Sequence, residues 1–155
     1  MIKIMFVCLG NICRSPMAEF VFRDMVEKEG LKDLFYIASS ATSTEEIGNP
    51  VHSGTKRKLK EHGIGVEGKQ AVQLQRKDYD SYDYLIAMEE RNMIQMKRIV
   101  REDPENKIYK LLDFTDNPRD IADPWYTGNF DRTYDDILEG CKGFLKFLRE
   151  THIGK

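Results

Sequence analysis

Cys8-Leu9-Gly10-Asn11-Ile12-Cys13-Arg14-Ser15 brings together residue types that can do chemistry on a tetrahedral oxyanion. A cysteine, a five-residue arc and then Arg-Ser at a helix start make a pocket for a dianion. The backbone N–H groups of such an arc turn inward, and the positive end of the following helix dipole adds to them. The guanidinium of Arg14 can grip two oxygens at once. The same positive field favours Cys8 as a thiolate, the form in which sulfur is a nucleophile. The chemistry implied is attack on phosphorus by sulfur. Asn11 suits the inside of the arc because asparagine tolerates left-handed backbone conformations.

Displacing an alkoxide or phenolate also needs a proton donor. Acidic residues gather late in the chain, at Asp113, Asp116, Asp120, Asp123 and Asp131, and composition does not choose among them. Asp123 has the best local case. Its neighbours Ile121, Ala122, Pro124, Trp125 and Tyr126 predict an apolar setting, in which a carboxyl group holds its proton.

These residues need elements to position them. Ile2–Val7 is apolar apart from Lys3 and reads as a buried strand that delivers Cys8. Ser15-Pro16 opens a helix with Met17, Phe20, Val21, Asp24 and Met25 at helical spacing, and Gly30 ends it. Leu34–Ala38 is expected as a second strand, followed by a polar loop from Ser39 to Pro50. Val51–His62 reads as a helix with a basic face (Lys56, Arg57, Lys58, Lys60), with Gly63 at its end. Ala71–Leu74 fits a short strand or an extended connection. Tyr84–Met88 is a third buried strand, Glu90–Arg101 a helix and Ile108–Leu112 the last strand. The final helix carries Tyr134, Ile137, Leu138, Cys141, Phe144, Leu145 and Leu148 along one face. Strands alternating with helices predict an α/β fold, a doubly wound parallel sheet of about four strands with helices on both faces. Such sheets place ligands at the carboxyl ends of their strands, where Cys8 falls.

Composition narrows the function. At 155 residues the chain is expected to be one domain, 1–155, with a sizeable core. A net charge of −2 and a pI near 6.0 give no electrostatic case for nucleic acid or for a membrane surface. No apolar stretch approaches a membrane span, and the short N-terminal apolar run leads straight into the cysteine motif, unlike a secretion signal. An odd number of cysteines, three, argues against a secreted disulfide framework, so a cytoplasmic location is expected. His52, His62 and His152 lack metal-ligand spacing and read as structural or solvent-facing. Gly63-Ile64-Gly65-Val66-Glu67-Gly68 spells a dinucleotide fingerprint, but it follows a helix rather than a first strand and is set aside.

The run Cys8 to Ser15 resembles the phosphate-binding loop, C-x5-R-S, of the low-molecular-weight protein tyrosine phosphatases. Pro16-Met17-Ala18-Glu19, His62-Gly63-Ile64, Ala87-Met88-Glu89 and Asp123-Pro124-Trp125-Tyr126 extend the resemblance over almost the whole chain. It implies Cys8 as nucleophile and Arg14 as oxyanion ligand, with Ser15 bonded to the Cys8 sulfur and Asp123 as general acid and then base. Leu9, Gly10, Asn11, Ile12 and Cys13 would hold the phosphoryl group, and Trp125 and Tyr126 would wall the substrate ring. A phosphocysteine intermediate, no cofactor and no metal are implied. So are phosphotyrosine proteins as substrates, inorganic phosphate as product and inhibitor, and a monomeric enzyme.

The chain departs from that family in two places. Glu45 stands where an aromatic residue often lines the cleft; a carboxylate there disfavours a dianion slightly and favours peptides with a basic residue near the phosphosite. Lys69 stands where a histidine braces the loop asparagine, which puts loop rigidity in question. Cys13 either packs under the loop or traps oxidised Cys8 as a reversible disulfide, for which the family is known, while Cys141 belongs to the core.

Three other functions compete. Thioredoxin-coupled arsenate reductases share the loop but use two further mid-chain cysteines, and residues 14–140 contain none. Protein arginine phosphatases favour a small polar residue at the position of Ile12. A non-catalytic phosphoprotein-binding module would have no need of Cys8, Arg14, Ser15 and Asp123 together.

Overall fold

The computed structural model describes residues 1–153. Its centre is β1 (Ile2–Cys8), flanked by β2 (Phe35–Ala41) on one side and β3 (Tyr84–Ala87) on the other, with β4 (Ile108–Lys110) beyond β3. All pairings are parallel, in the order β2-β1-β3-β4. Because successive side chains of a strand face opposite ways, β1 feeds two cores. Ile4, Phe6 and Cys8 join the layer of α1 (Arg14–Lys28) and α6 (Phe130–Leu148). Met5 and Val7 join Met96 and Val100 of α4 (Glu90–Val100) on the other face. The doubly wound α/β domain expected from the sequence is therefore present. Strand order reverses around β1, so the crevice beyond its carboxyl end is the natural ligand site, and Cys8 is the last residue of that strand.

Helix α6 buries Tyr134, Ile137, Cys141, Phe144, Leu145 and Leu148, as its spacing predicts. Phe144 lies 5.5 Å from the Phe22 ring and 4.7 Å from that of Phe114. Gly140 and Gly143 let α6 lie against the 3-10 turn Leu111–Phe114. A Cβ on Gly143 would come within 2.2 Å of the Phe114 carbonyl oxygen, and backbone cannot swing aside. Gly143→Ala is expected to lower stability by about 2–3 kcal/mol despite alanine's better helix propensity, as overpacking against a fixed neighbour does. Chemical denaturation checks this; an unchanged or raised midpoint would mean that the helix can move off.

Several sequence expectations need correction. The expected loop after Ala38 starts too early, because β2 continues through Ser39, Ser40 and Ala41, paired with Phe6, Val7 and Cys8. Both serines are fully buried. Their hydroxyls are satisfied inside the fold, Ser39 donating to Glu19 (2.5 Å) and Ser40 to the Met5 sulfur (3.0 Å), so polar residues here do not mean a turn. The basic helix is shorter than expected, α2 (Ser53–Lys60), with His52 as its cap, Nδ1 accepting the Gly54 N–H. The strand expected over Ile108–Leu112 ends at Lys110, where the chain winds into the 3-10 turn. Ala71–Leu74 is an extended connection held by bonds to Ala41 in both directions. Two short helices, α3 (Asp78–Ser81) and α5 (Pro124–Thr127), lie outside the expected elements, although Asp123, Pro124 and Gly128 bracket α5 as a cap, a first helical residue and a left-handed end. Among the described residues no helix is long and apolar enough to cross a membrane.

Candidate active site

The loop between β1 and α1 turns on Asn11, whose φ of 58° is left-handed, as its residue type allows. Its amide is then held on three sides. Oδ1 accepts the Val72 N–H (3.1 Å), while Nδ2 donates to Ser15 Oγ (2.8 Å) and Ser39 Oγ (2.9 Å). The polarity of this network is fixed from its far end. Ser39 spends its proton on the buried Glu19 carboxylate, so it can only accept from Asn11. Ser15 likewise accepts from Asn11, which leaves its own proton for Cys8 Sγ at 3.0 Å, closer than the alternative acceptor Ser40 O at 3.4 Å. The backbone N–H groups of Asn11 (3.3 Å) and Ser15 (3.4 Å) also point at that sulfur. Three donors thus converge on one sulfur.

Lys69 does not bond Asn11 directly. It donates to the Ser39 carbonyl (2.9 Å) and stands 3.8 Å from Glu19, whose other oxygen pairs with Arg23 at 2.6 Å. Burial lowers the Lys69 pKa, with the Glu19 charge acting against it. The question of loop rigidity is answered by Ser15, Ser39 and Val72, which hold the asparagine without the lysine touching it.

Arg14 is 2% exposed. Nη1 bonds Glu89 and the Ile121 carbonyl (2.9 Å), and Nη2 reaches Asp123 at 3.3 Å. Burial works against its charge, but Cys8, Asp123 and Glu89 outweigh it and raise the Arg14 pKa. Nε is buried and has no partner among the described residues. A buried guanidinium nitrogen left without an acceptor is expensive unless an anion completes it. The N–H groups of Gly10, Ile12 and Cys13 likewise have no protein acceptor among the described residues.

Asp123 comes from the far end of the chain. It caps α5, its Oδ1 accepting the Trp125 N–H at 3.0 Å. The apolar setting expected for it is only half there: Ile121 and Pro124 are buried, but Ala122, Trp125 and Tyr126 are exposed and the carboxyl faces Arg14. Trp125 and Tyr126 stand at the mouth, Trp125 braced edge-on by His52, which stacks on Phe130. Cys13 also borders the pocket. Burial foremost, then the Cys8 and Asp123 charges, push its pKa up to about 12, so it sits as a neutral thiol.

One pocket thus gathers Cys8, Leu9, Gly10, Ile12, Cys13, Arg14, Glu45, Asp123, Trp125 and Tyr126. Ser15 and Asn11 lie behind it. The Asn11 side chain turns into the scaffold, where it holds the shape of the arc. Glu89, Ser43 and Glu46 join the site without having been expected there. Ala87-Met88-Glu89 is recognisable in the sequence as a family motif, but only the fold shows that Glu89 anchors Arg14. Ser43 and Glu46 line the pocket because the segment after β2 bonds back onto the loop, Ser43 N–H to Leu9 O at 3.0 Å.

Comparison with known proteins agrees with this geometry. A model of the low molecular weight phosphotyrosine protein phosphatase family matches residues 3–153. The low molecular weight protein-tyrosine-phosphatase YfkJ of Bacillus subtilis is 40% identical over 152 residues, covering 97% of each chain. The crystal structure of YfkJ superposes with a TM-score of 0.95 over 98% of this chain and 97% of that one, at 39% identity. The low molecular weight protein-tyrosine-phosphatase PtpA of Staphylococcus aureus is 34% identical over 96% of this chain and 94% of its own. The drosophila arginine phosphatase DARP shares the fold more distantly, at 28% identity and a TM-score of 0.87 over 96% of this chain and 98% of that one. By its family match, its relatives and its fold, this chain belongs to the low molecular weight phosphotyrosine protein phosphatase family.

Proposed function

We propose that this protein hydrolyses phosphotyrosine monoesters in proteins through a phosphocysteine intermediate. One observation carries the reading: Cys8 Sγ, with Ser15 Oγ at 3.0 Å, shares a pocket with a buried guanidinium whose Nε has no partner among the described residues. In the first step the Cys8 thiolate attacks phosphorus. The three equatorial oxygens are taken by Arg14 and by the loop N–H groups, and the P–O ester bond breaks. Asp123 gives its proton to the departing phenolate. In the second step Asp123 takes a proton from water, whose oxygen attacks phosphorus as the thiolate leaves toward Ser15. The product, inorganic phosphate, fits the same cradle and would inhibit. The reading includes a monomeric enzyme in the cytoplasm, a reducing compartment that the three free thiols suit. The test is hydrolysis of a chromogenic aryl phosphate, with arsenate and thioredoxin as a control. Arsenate reduction in that system, or phosphate binding without turnover, would overturn the proposal.

The shared fold of the arginine phosphatase makes Ile12 a discriminating position. It is 8% exposed and lines the pocket, where its bulk suits the flat face of a phenyl ring. Ile12→Thr is expected to shift the ratio of kcat/KM for phosphoarginine over phosphotyrosine upward by about tenfold, the scale of a change in one pocket contact. Competition between the two substrates measures it; an unmoved ratio would remove Ile12 from specificity.

A further inference from the structure

Three carboxylates, Glu45, Glu46 and Asp123, line the pocket proposed to take the dianion. Arg14 is its one buried cation, and it already faces Glu89 and Asp123. Of the three, Glu45 and Glu46 have no ion-pair partner among the described residues. The side-chain amide of Asn49 holds Glu46 by its Oε1 at 3.0 Å, so that carboxylate is placed rather than loose. The unpartnered Arg14 Nε says that an anion belongs inside. Acid at the rim of an anion site repels what the site is built to bind, unless the ligand brings positive charge of its own.

The space beside the pocket says where that charge would run. A second groove, between the start of α2 and the 66–69 segment, shares Ile12, Glu46 and Trp125 with the first. It carries Glu67, also without an ion-pair partner among the described residues; of its two lysines, Lys69 faces Glu19 at 3.8 Å, and Lys56 stands exposed at the α2 side, away from the Glu45–Glu46 rim that the first pocket shares. A peptide whose phosphotyrosine enters the pocket can lay its flanking residues along this groove.

We infer that Glu45 and Glu46, where the pocket meets the groove, form a recognition site for a lysine or arginine side chain flanking the phosphotyrosine of a protein substrate. This rests on the phosphatase reading above. The cation neutralises the rim and offsets its repulsion of the dianion, so the enzyme selects basic phosphotyrosine sequences over acidic ones.

The test uses matched phosphotyrosine peptides with lysines or glutamates on both sides of the phosphorylated residue, alongside a small aryl phosphate. The wild-type protein should prefer the lysine peptide in kcat/KM by about tenfold, since each exposed ion pair contributes up to a factor of about five. That preference should shrink as sodium chloride is added, because exposed charges are screened. In the Glu45→Gln, Glu46→Gln double variant the lysine peptide should lose most of its advantage. The small aryl phosphate, which carries no cation, should be turned over roughly two- to threefold faster. Movements in opposite directions cannot come from partial misfolding. Wild-type turnover of the aryl phosphate with no salt-sensitive preference between the peptides would overturn this inference alone. Failure to hydrolyse any phosphoester would overturn the phosphatase reading with it.

Discussion

Cys8→Ser is expected to cut turnover of an aryl phosphate by roughly four orders of magnitude or more, as removal of a nucleophile does when the rest of the machinery acts only through it. The substitution is small and its site is forgiving. Cys8 ends β1 with its backbone paired to Ala41, and its sulfur accepts from Ser15 and from the Asn11 and Ser15 N–H groups, two of which a hydroxyl oxygen can also accept. What serine lacks is an accessible anion. The donors that suffice for a thiolate are far from sufficient for an alkoxide. Oxyanion binding should therefore survive. Phosphate at about one hundred times its dissociation constant should still stabilise the variant by about 2.7 kcal/mol, read as a rise in melting temperature. Loss of turnover with loss of that rise would point to a collapsed loop, and retained turnover would remove sulfur from the mechanism.

The contrast between Cys8 and its support shows what sequence can disclose here. The nucleophile and its arginine sit on one short arc whose spacing is itself the chemistry, so both are legible from residue order alone. Asn11 is legible as a left-handed residue for the same local reason. Ser39 is not. A serine at the end of a strand reads as the start of a loop, and only the pairing with Phe6 and the proton spent on Glu19 turn it into an interior brace. Glu89 escapes because its partner lies 75 residues away in the chain. Hydrophobic patterning locates β1, β3 and α6 well, since each is positioned by its own apolar residues. The boundaries of β2, α2 and β4 depend on hydrogen bonds to distant residues, and local pattern does not encode those.

Asp123→Asn offers the sharper test of mechanism, because its effect should depend on the substrate. Asparagine caps a helix as well as aspartate and can accept the same Trp125 N–H, so α5 should keep its place. The proton is what goes. For a phenyl phosphate, whose leaving group is a strong base, kcat should fall by about 10²–10⁴, the contribution of a positioned general acid. For a nitrophenyl phosphate the leaving group departs without help, and formation of the phosphocysteine should stay fast. Its hydrolysis still needs a base to take the proton from water, and asparagine supplies none. The intermediate should then accumulate, giving a burst of nitrophenol equal to the enzyme present, followed by a slow steady rate. A loss of the same size for both substrates, with no burst, would mean that Asp123 only positions Arg14 through their 3.3 Å contact and transfers no proton.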